Sequence, residues 1–251
     1  MASGDKKTVI VTAAGRGIGA ACARMLAGKG WVPVLSSPST SCETLAKELG
    51  GWAVRGSVTA PGDLEALVRL ALDKTGRIDG VVANTGHGPG GMKNATGPIM
   101  GPDAQGRLLD IEDGDWHAGL DMYLLYLVRL LRLVTPVMER QGGGSIVAIS
   151  SVNALEPRPR YPMSIIRMAM HGFTKLYADR YGRAGIRINN VLPGFVDNLQ
   201  VPEEAIQLIP LKRPVKTQEI AATVAFLLSP EASGITAQNM LVDGGFTRAV
   251  R

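Results

Sequence analysis

The 251-residue chain has few cysteines, few aromatic residues and no long apolar run. Its two cysteines, Cys22 and Cys42, lack CxxC spacing and nearby histidines, so they predict neither a metal site nor a disulfide framework. No stretch has the length and apolar character of a membrane span, and the polar segment 1–7 does not resemble a signal peptide. We therefore expect a cytoplasmic protein that binds neither metal nor membrane.

The charge balance does not favour nucleic-acid binding. Lys and Arg exceed Asp and Glu by 27 to 22, which gives a formal net charge of +5. The basic residues are scattered among acidic ones with little aromatic interleaving, a pattern typical of a solvated surface. Part of the excess suits an anionic dinucleotide, because positive potential raises the local concentration of phosphates. We expect a small-molecule substrate and no nucleic-acid partner.

Strand-like apolar runs alternate with helix-like patterns along the chain. Strands are predicted near 8–12, 31–36, 51–55, 78–83, 144–150, 185–192 and 238–242. Helices are predicted near 18–29, 41–49, 61–75, 115–140, 161–182 and 217–229. Such alternation predicts parallel strands joined by crossover helices. The expected fold is an α/β single-domain Rossmann fold over 1–251, a doubly wound parallel sheet of about seven strands with helices on both faces.

Two segments rich in glycine or proline interrupt this alternation. The first covers 85–114 and the second covers 195–216. Both follow strands at the sheet edge where doubly wound folds bind ligands. We interpret the second segment as a substrate-covering loop. The first fits either such a loop or an ordinary surface insertion.

A turn of small residues stands between the first strand and the first helix. It reads Thr12-Ala13-Ala14-Gly15-Arg16-Gly17-Ile18-Gly19. Small residues let the backbone approach a pyrophosphate, and a helix N-terminus offers N–H donors and positive potential. The turn therefore predicts a dinucleotide site that includes Thr12, Gly15, Arg16, Gly17 and Ile18.

This turn resembles the TGxxxGxG motif of the short-chain dehydrogenase/reductase superfamily, with Ala13 in place of the first glycine. Four further segments resemble landmarks of that family in the same order: Asn84-Thr85-Gly86, Ile146 to Ser151, Asn190 to Gly194 and Leu241 to Gly245. The resemblance implies a nicotinamide dinucleotide cofactor. It also implies cofactor contacts from Asn84, Thr85, Gly86, Arg167, Pro193, Gly194 and Val196. A Rossmann fold without a bound cofactor is the alternative.

The choice of cofactor depends on the end of the second strand. NAD-preferring relatives usually carry a carboxylate there, whereas this chain has Leu35-Ser36-Ser37-Pro38. Without that carboxylate a 2′-phosphate is not repelled, and Ser36, Ser37 and Arg16 can donate hydrogen bonds to it. We therefore expect NADP(H) to be favoured over NAD(H). The alternative is that the serines only cap the next helix.

The catalytic positions depart from the family pattern. In relatives a Tyr transfers a proton, a Lys four residues later lowers the pKa of that Tyr, and an Asn holds a water relay. Aligned on His171-Gly172-Phe173-Thr174-Lys175, Met163 takes the place of the Tyr and Arg167 the place of the Lys. Counting from Trp116 puts Tyr123 at the Asn position. Met cannot donate a proton, and Arg stays charged.

A serine and two tyrosines remain as candidates for the missing chemistry. The family serine, which binds the substrate oxygen, corresponds to Ser151 or to its neighbour Ser150. Tyr161, two residues before Met163, can supply a phenol from a shifted position. Tyr123 is the second candidate, although its Leu-rich surroundings favour core packing, and Tyr161 near a helix start fits packing as well.

The sequence favours an NADP(H)-dependent oxidoreductase that acts on a small carbonyl or alcohol. Ser151, Tyr161 and Arg167 are its predicted catalytic residues. The alternatives are a non-catalytic NADP(H)-binding sensor or partner subunit, and a non-redox enzyme similar to halohydrin dehalogenases, which carry Ser, Tyr and Arg but lack the glycine turn. The resemblance also implies a homo-oligomer, a tetramer or a dimer, paired through the helices near 115–140 and 161–182.

Overall fold

Seven parallel strands form one sheet in the order β3-β2-β1-β4-β5-β6-β7. The structure, a computed structural model, describes residues 6–85, 108–158 and 161–249. The strands are β1 Thr8–Val11, β2 Val32–Ser37, β3 Trp52–Arg55, β4 Gly80–Ala83, β5 Gly144–Ile149, β6 Ile186–Pro193 and β7 Asn239–Val242. The chain proceeds outward in one direction from β1 to β3 and in the other from β4 to β7. This reversal places a topological switch point between β1 and β4, where doubly wound folds bind ligands.

Helices connect the strands and cover both faces of the sheet. The α-helices are α1 Gly17–Gly28, α2 Ser41–Glu48, α3 Pro61–Thr75, α4 Asp113–Leu120, α5 Tyr126–Gln141, α6 Ser164–Tyr181, α7 Glu203–Gln207 and α8 Thr217–Leu228. A π-helical turn, Asp121–Leu125, joins α4 to α5. Short 3-10 turns lie at Leu108–Asp110, Val152–Ala154, Gly182–Ala184 and Pro230–Ala232.

The core consists of two apolar layers on opposite faces of the sheet. One layer holds Val9 and Val11 of β1 with α1, α2 and α8, and the other holds Ile10 with α3, α5 and α6. Successive strand residues point to opposite faces, so a strand that is covered on both sides is apolar throughout. This packing explains the continuous apolar runs in the sequence and confirms the expected fold class.

Two predicted helices differ from the expected boundaries. The helix expected near 115–140 is interrupted by the π-helical turn at Asp121–Leu125. The helix expected near 161–182 begins at Ser164, because Tyr161 precedes Pro162 and that position disfavours helical backbone. A turn closed by the Ser164 N–H and the Tyr161 carbonyl, at 2.9 Å, leads into the helix instead.

The second interrupting segment, 195–216, contains α7, and its last residues return to its first ones. Val196 forms an isolated parallel bridge with Val215, so the ends of the segment are held together. Most of the first interrupting segment, 86–107, lies outside the described residues. No helix in the described parts of the chain is long and apolar enough to cross a membrane.

Candidate cofactor and active site

The glycine turn packs closely between β1 and α1. A Cβ placed on Gly19 would lie 2.4 Å from the Ala13 carbonyl oxygen, so this glycine lets the helix approach the strand. Gly17 has a φ of +56° and Ala13 a φ of +48°, both in the left-handed region. Ala13 therefore adopts a backbone conformation that glycine favours, and its Cβ makes that conformation unfavourable.

The N-terminus of α1 faces the same turn. Arg16 is its N-cap residue, in extended conformation, and no side chain from the described residues caps the helix. The first N–H groups of a helix carry positive partial charge, so such an end attracts phosphate oxygens. The Arg16 side chain is exposed beside it. The turn therefore fits an anionic dinucleotide in both shape and charge.

Asn84 ties the end of β4 to the glycine turn. The Thr12 hydroxyl donates to the Asn84 carbonyl at 2.7 Å and accepts from the Asn84 N–H at 2.9 Å. The Asn84 side-chain amide donates to the Ala13 carbonyl at 3.3 Å. The buried hydroxyl of Thr85 has no partner among the described residues. Gly86, the last residue of this predicted motif, lies outside them.

Three serine hydroxyls surround Gly15 at the end of β2. The Ser37 hydroxyl lies 3.2 Å from that of Ser39, which lies 2.6 Å from that of Ser41. A Cβ on Gly15 would stand 2.4 to 3.1 Å from all three oxygens. Of the two predicted serines, Ser37 belongs to this cluster, whereas Ser36 lies within β2 and its carbonyl accepts the Ala14 N–H at 2.9 Å.

Sequence reasoning missed Ser39 and Ser41. Their signal was the hydroxyl-rich stretch Ser37-Pro38-Ser39-Thr40-Ser41, which turns from the end of β2 into the start of α2. The cluster also lacks any carboxylate, since residues 36–41 are serine, proline and threonine only. We refer to Ser37, Ser39 and Ser41 as the serine cluster.

The segment after β6 reaches back to the glycine turn. Pro193 ends β6, and the Gly194 N–H donates to the Val242 carbonyl of β7 at 3.1 Å. A Cβ on Gly17 would lie 2.7 Å from the Asn198 side-chain nitrogen, so Asn198 covers the turn. Sequence reasoning named Val196, which is buried, and missed Asn198 two residues later.

The two candidate serines have different surroundings. Ser150 is buried, and its hydroxyl lies 2.7 Å from Nε2 of His171 on α6. Ser151 is half-buried, and its oxygen accepts the Asn153 N–H at 3.2 Å. A hydroxyl that accepts one bond still has a proton to donate. These contacts favour Ser151 as the serine that meets a substrate oxygen.

Arg167 joins α6 to the end of β5 and to the π-helical turn. Its Nη1 atom donates to the Ile149 carbonyl at 3.0 Å, and its guanidinium carbon lies 4.3 Å from the ring centroid of Tyr123. Burial lowers the pKa of Arg167, while its charge interactions with Tyr123 and Tyr126 and a hydrogen bond with Tyr123 act in the opposite direction. Tyr123 is half-buried against this cation, so its side chain is not the core-packing residue that its Leu-rich surroundings suggested.

Met163 is buried beneath the same site. Its side chain is 5% exposed, and a Cβ on Gly119 of α4 would lie 2.7 Å from its sulfur. The predicted proton donor Tyr161 is half-buried in the turn before α6, where its N–H donates to the Arg158 carbonyl at 2.8 Å. Among the predicted catalytic residues, Arg167 contacts Tyr123 and the end of β5, which leads into Ser151.

A doubly wound parallel sheet whose first strand runs through a glycine turn into an uncapped helix defines a Rossmann-type dinucleotide-binding protein. A family model described as enoyl-(acyl carrier protein) reductase matches residues 12–247. The chain belongs to the short-chain dehydrogenase/reductase superfamily, a family of NAD(P)-dependent oxidoreductases, and the predicted resemblance is confirmed.

Relatives of several kinds share this similarity over nearly the whole chain. The chain is 32% identical over 255 residues to dehydrogenase/reductase SDR family member 4 of Oryctolagus cuniculus, covering 95% of this chain and 93% of that protein. It is 32% identical over 253 residues to a 3-oxoacyl-[acyl-carrier-protein] reductase of Synechocystis, covering 95% and 96%. The crystal structure of acetoin dehydrogenase YohF from Salmonella typhimurium superposes with a TM-score of 0.82 at 28% identity, covering 98% and 99%.

Proposed function

We propose that this protein is an NADP(H)-dependent oxidoreductase that interconverts a small carbonyl compound and its alcohol. The observation that carries the proposal is the serine cluster around Gly15, beside the exposed Arg16 and the uncapped N-terminus of α1. Hydroxyls and a guanidinium are donors for phosphate oxygens, and a carboxylate that would repel a 2′-phosphate is missing there. The relatives support the reaction class, since they are named as dehydrogenases and reductases.

The residues present fit a nicotinamide dinucleotide along one edge of the sheet. The glycine turn and α1 would hold the pyrophosphate, and the serine cluster with Arg16 would hold the 2′-phosphate. Asn84, Thr85, Pro193, Gly194 and Val196 would border the nicotinamide half, as the family pattern implies. When bound, the cofactor supplies or accepts the hydride.

The substrate would bind beside the residues that follow β5 and beside α6. Ser151 would donate its hydroxyl proton to the substrate oxygen and orient the carbonyl. Arg167 keeps a positive charge at the strand end, where it would stabilise negative charge that develops on oxygen. Tyr161 and Tyr123 are the two phenols that the sequence offers as proton donors.

An apolar groove between α5 and α6 supports the proposed homo-oligomer. Its apolar lining includes Val128, Leu131, Phe173 and Leu176, with Arg132 and Glu139 as its charged residues, and Leu176 is 70% exposed. A second copy related by a two-fold axis would cover the same groove on both chains. A tetramer would need one further interface. The cytoplasmic location stays a prediction.

One observation favours a second function, a non-catalytic NADP(H)-binding sensor or partner subunit. The family position of the proton-donating Tyr is filled by the buried Met163, which packs on Gly119. In that case the cofactor would bind and no substrate would be turned over.

Turnover separates the two functions. Purified protein is mixed with NADPH and a panel of small aldehydes, ketones and imines, and the absorbance of the reduced nicotinamide is followed. We expect NADPH oxidation with at least one carbonyl and loss of about 100-fold in kcat/KM for Ser151→Ala. Tight NADPH binding without oxidation of any substrate would favour the sensor.

A further inference from the structure

The position of the catalytic tyrosine in related proteins is occupied here by a buried apolar side chain. Met163 fills it with an apolar side chain that is 5% exposed, and Gly119 provides the space for its sulfur. Met163 stands directly before α6, four residues ahead of Arg167, and Gly119 lies in α4, four residues ahead of Tyr123. Two contacts join these segments: the apolar contact of Met163 with Gly119 and the contact of the Arg167 cation with the Tyr123 phenol ring.

The second pair restores a phenol beside a cation. The Arg167 guanidinium carbon lies 4.3 Å from the Tyr123 ring centroid, so the cation packs on the face of the phenol ring. Tyr123 is the middle residue of the π-helical turn Asp121–Leu125. Such turns shift side chains out of the regular helical pattern and are frequent at functional sites. Here the turn directs a half-buried phenol at α6.

The pair is anchored at the strand end that carries the candidate serine. Arg167 donates to the Ile149 carbonyl at 3.0 Å, and Ile149 is the last residue of β5, two residues before Ser151. This end of the sheet is also where β4 leads into Asn84. Tyr123, Arg167 and Ser151 therefore belong to one end of the sheet, the end where the dinucleotide site lies.

The other two tyrosines nearby do not share this arrangement. Tyr126 is 1% exposed, its hydroxyl donates to the Ala83 carbonyl at 3.1 Å, and burial raises its pKa. Because Tyr126 is buried and its hydroxyl already donates to a backbone carbonyl, it cannot donate a proton to a substrate. Tyr161 lies in the turn that precedes α6, before the Pro162 step, and Arg167 is paired with Tyr123 instead.

We propose that Tyr123 is the proton donor of the reaction and that Arg167 holds it in place. This proposal rests on the proposed oxidoreductase function. In the reductive direction the carbonyl carbon gains a hydride, which oxidises NADPH to NADP⁺, and the carbonyl oxygen gains the phenolic proton of Tyr123. The phenolate that is left faces the Arg167 guanidinium and regains a proton from solvent water. In the oxidative direction each transfer is reversed.

Two matched variants test the assignment by kinetics. Tyr123→Phe and Tyr161→Phe each remove one hydroxyl and keep the ring, so the packing of Tyr123 on Arg167 is retained in the first. We expect Tyr123→Phe to lose about 100-fold or more in kcat, as for a removed general acid, with NADPH affinity unchanged. Tyr161→Phe, which changes the competing phenol, should lose at least about tenfold less in kcat than Tyr123→Phe. Wild-type kcat in Tyr123→Phe, or the loss in Tyr161→Phe instead, would overturn the proposal.

A binding measurement tests, without turnover, whether the Tyr123 hydroxyl donates a hydrogen bond to a carbonyl in the site. Isobutyramide has a carbonyl that accepts hydrogen bonds and is not reduced, so its affinity for the protein–NADPH complex reports the donors of the site. We expect Tyr123→Phe to bind it at least about tenfold more weakly, and Tyr161→Phe to match the wild type. Equal affinity in Tyr123→Phe and wild type would contradict the assignment. If the wild type oxidises NADPH with no carbonyl while Tyr123→Phe still binds isobutyramide more weakly, that result would contradict the proposed oxidoreductase function and still support Tyr123 as the hydrogen-bond donor of the site.

Discussion

The hydroxyl of Ser150 lies 2.7 Å from Nε2 of His171, in a buried hydrogen bond that ties the end of β5 to α6. The adjacent Ser151 is half-buried, and its oxygen accepts the Asn153 N–H at 3.2 Å. Ser150 therefore links strand and helix, whereas Ser151 is the serine that we propose to meet the substrate oxygen.

This division predicts opposite effects of two alanine substitutions. Ser150→Ala removes the partner of a buried imidazole nitrogen and should lower the free energy of unfolding by about 1–3 kcal/mol with most activity kept. Ser151→Ala should keep stability and lose activity. Chemical denaturation and kcat/KM, measured on both variants, check the assignment. Loss of activity in Ser150→Ala with Ser151→Ala active would reverse it.

The left-handed backbone of Ala13 predicts a stabilising substitution. Ala13 has a φ of +48°, which costs an alanine more than a glycine. Ala13→Gly should therefore raise the free energy of unfolding by about 1 kcal/mol, after the larger chain entropy of glycine is subtracted. Ala14→Gly is the control, because Ala14 is buried without a positive φ and should lose about 1–2 kcal/mol. A less stable Ala13→Gly protein would show that the turn does not prefer glycine.

The pH dependence of stability has a component at the start of α8. Glu219 accepts two hydrogen bonds from Arg213, at 2.7 and 2.9 Å, and one from the Lys216 N–H. The Arg213 bonds first, and then the backbone bond, lower the pKa of Glu219 from 4.5 to about 2. A carboxylate with a lowered pKa stabilises the fold above pH 4.5 and loses that contribution as the pH falls toward 2.

Glu219→Gln should therefore be less stable than wild type at pH 7, by about 2–4 °C in Tm, and the gap should narrow below pH 4.5. Thermal unfolding at pH 7, 5, 4 and 3 measures it. Glu204→Gln, on α7, is the control for removal of a charge. If the difference in Tm between wild type and Glu219→Gln does not change with pH, the lower stability comes from packing or capping alone and not from the charge of Glu219.

The apolar groove between α5 and α6 predicts the route of assembly. Leu176 is exposed in this groove, and a glutamate there would place a charged group, which is costly to desolvate, at the proposed interface. Leu176→Glu should give a smaller species than wild type in light scattering at micromolar concentration. Leu211→Glu changes another exposed leucine, in the segment 195–216, and should leave the mass unchanged. A wild-type mass of 26.5 kDa would contradict the homo-oligomer.

The sequence predicted the sheet because burial on both faces leaves continuous apolar runs between turn signals. Val9, Ile10 and Val11 alternate between the two core layers, and all three are apolar for that reason. The glycine turn was also predictable, since its residues are contiguous in the chain and their smallness has a local cause.

The contacts of Tyr123 were not predictable in the same way. A leucine-rich stretch indicates a buried helix, and nothing in the sequence marks the π-helical turn that directs Tyr123 at Arg167. The pairing of Met163 with Gly119 likewise depends on the packing of two distant helices. Both contacts join residues more than 40 positions apart in the chain.

The serine cluster predicts how cofactor choice can be changed. Ser39 is exposed, and its hydroxyl connects those of Ser37 and Ser41. Ser39→Asp adds a negative charge that repels a 2′-phosphate and can bind ribose hydroxyls. It should weaken NADPH binding by about tenfold or more and leave NADH binding equal or tighter. Ser39→Asn introduces a neutral side chain of the same size as aspartate, so it should change the affinity for NADPH and for NADH much less.

Titration of wild-type protein with NADPH and with NADH, by calorimetry at one salt concentration, tests the central claim most directly. We expect NADPH to bind about tenfold or more tightly than NADH, because only its 2′-phosphate meets the serine cluster and Arg16. NADH affinity equal to or greater than NADPH affinity, or binding of neither dinucleotide, would contradict the account.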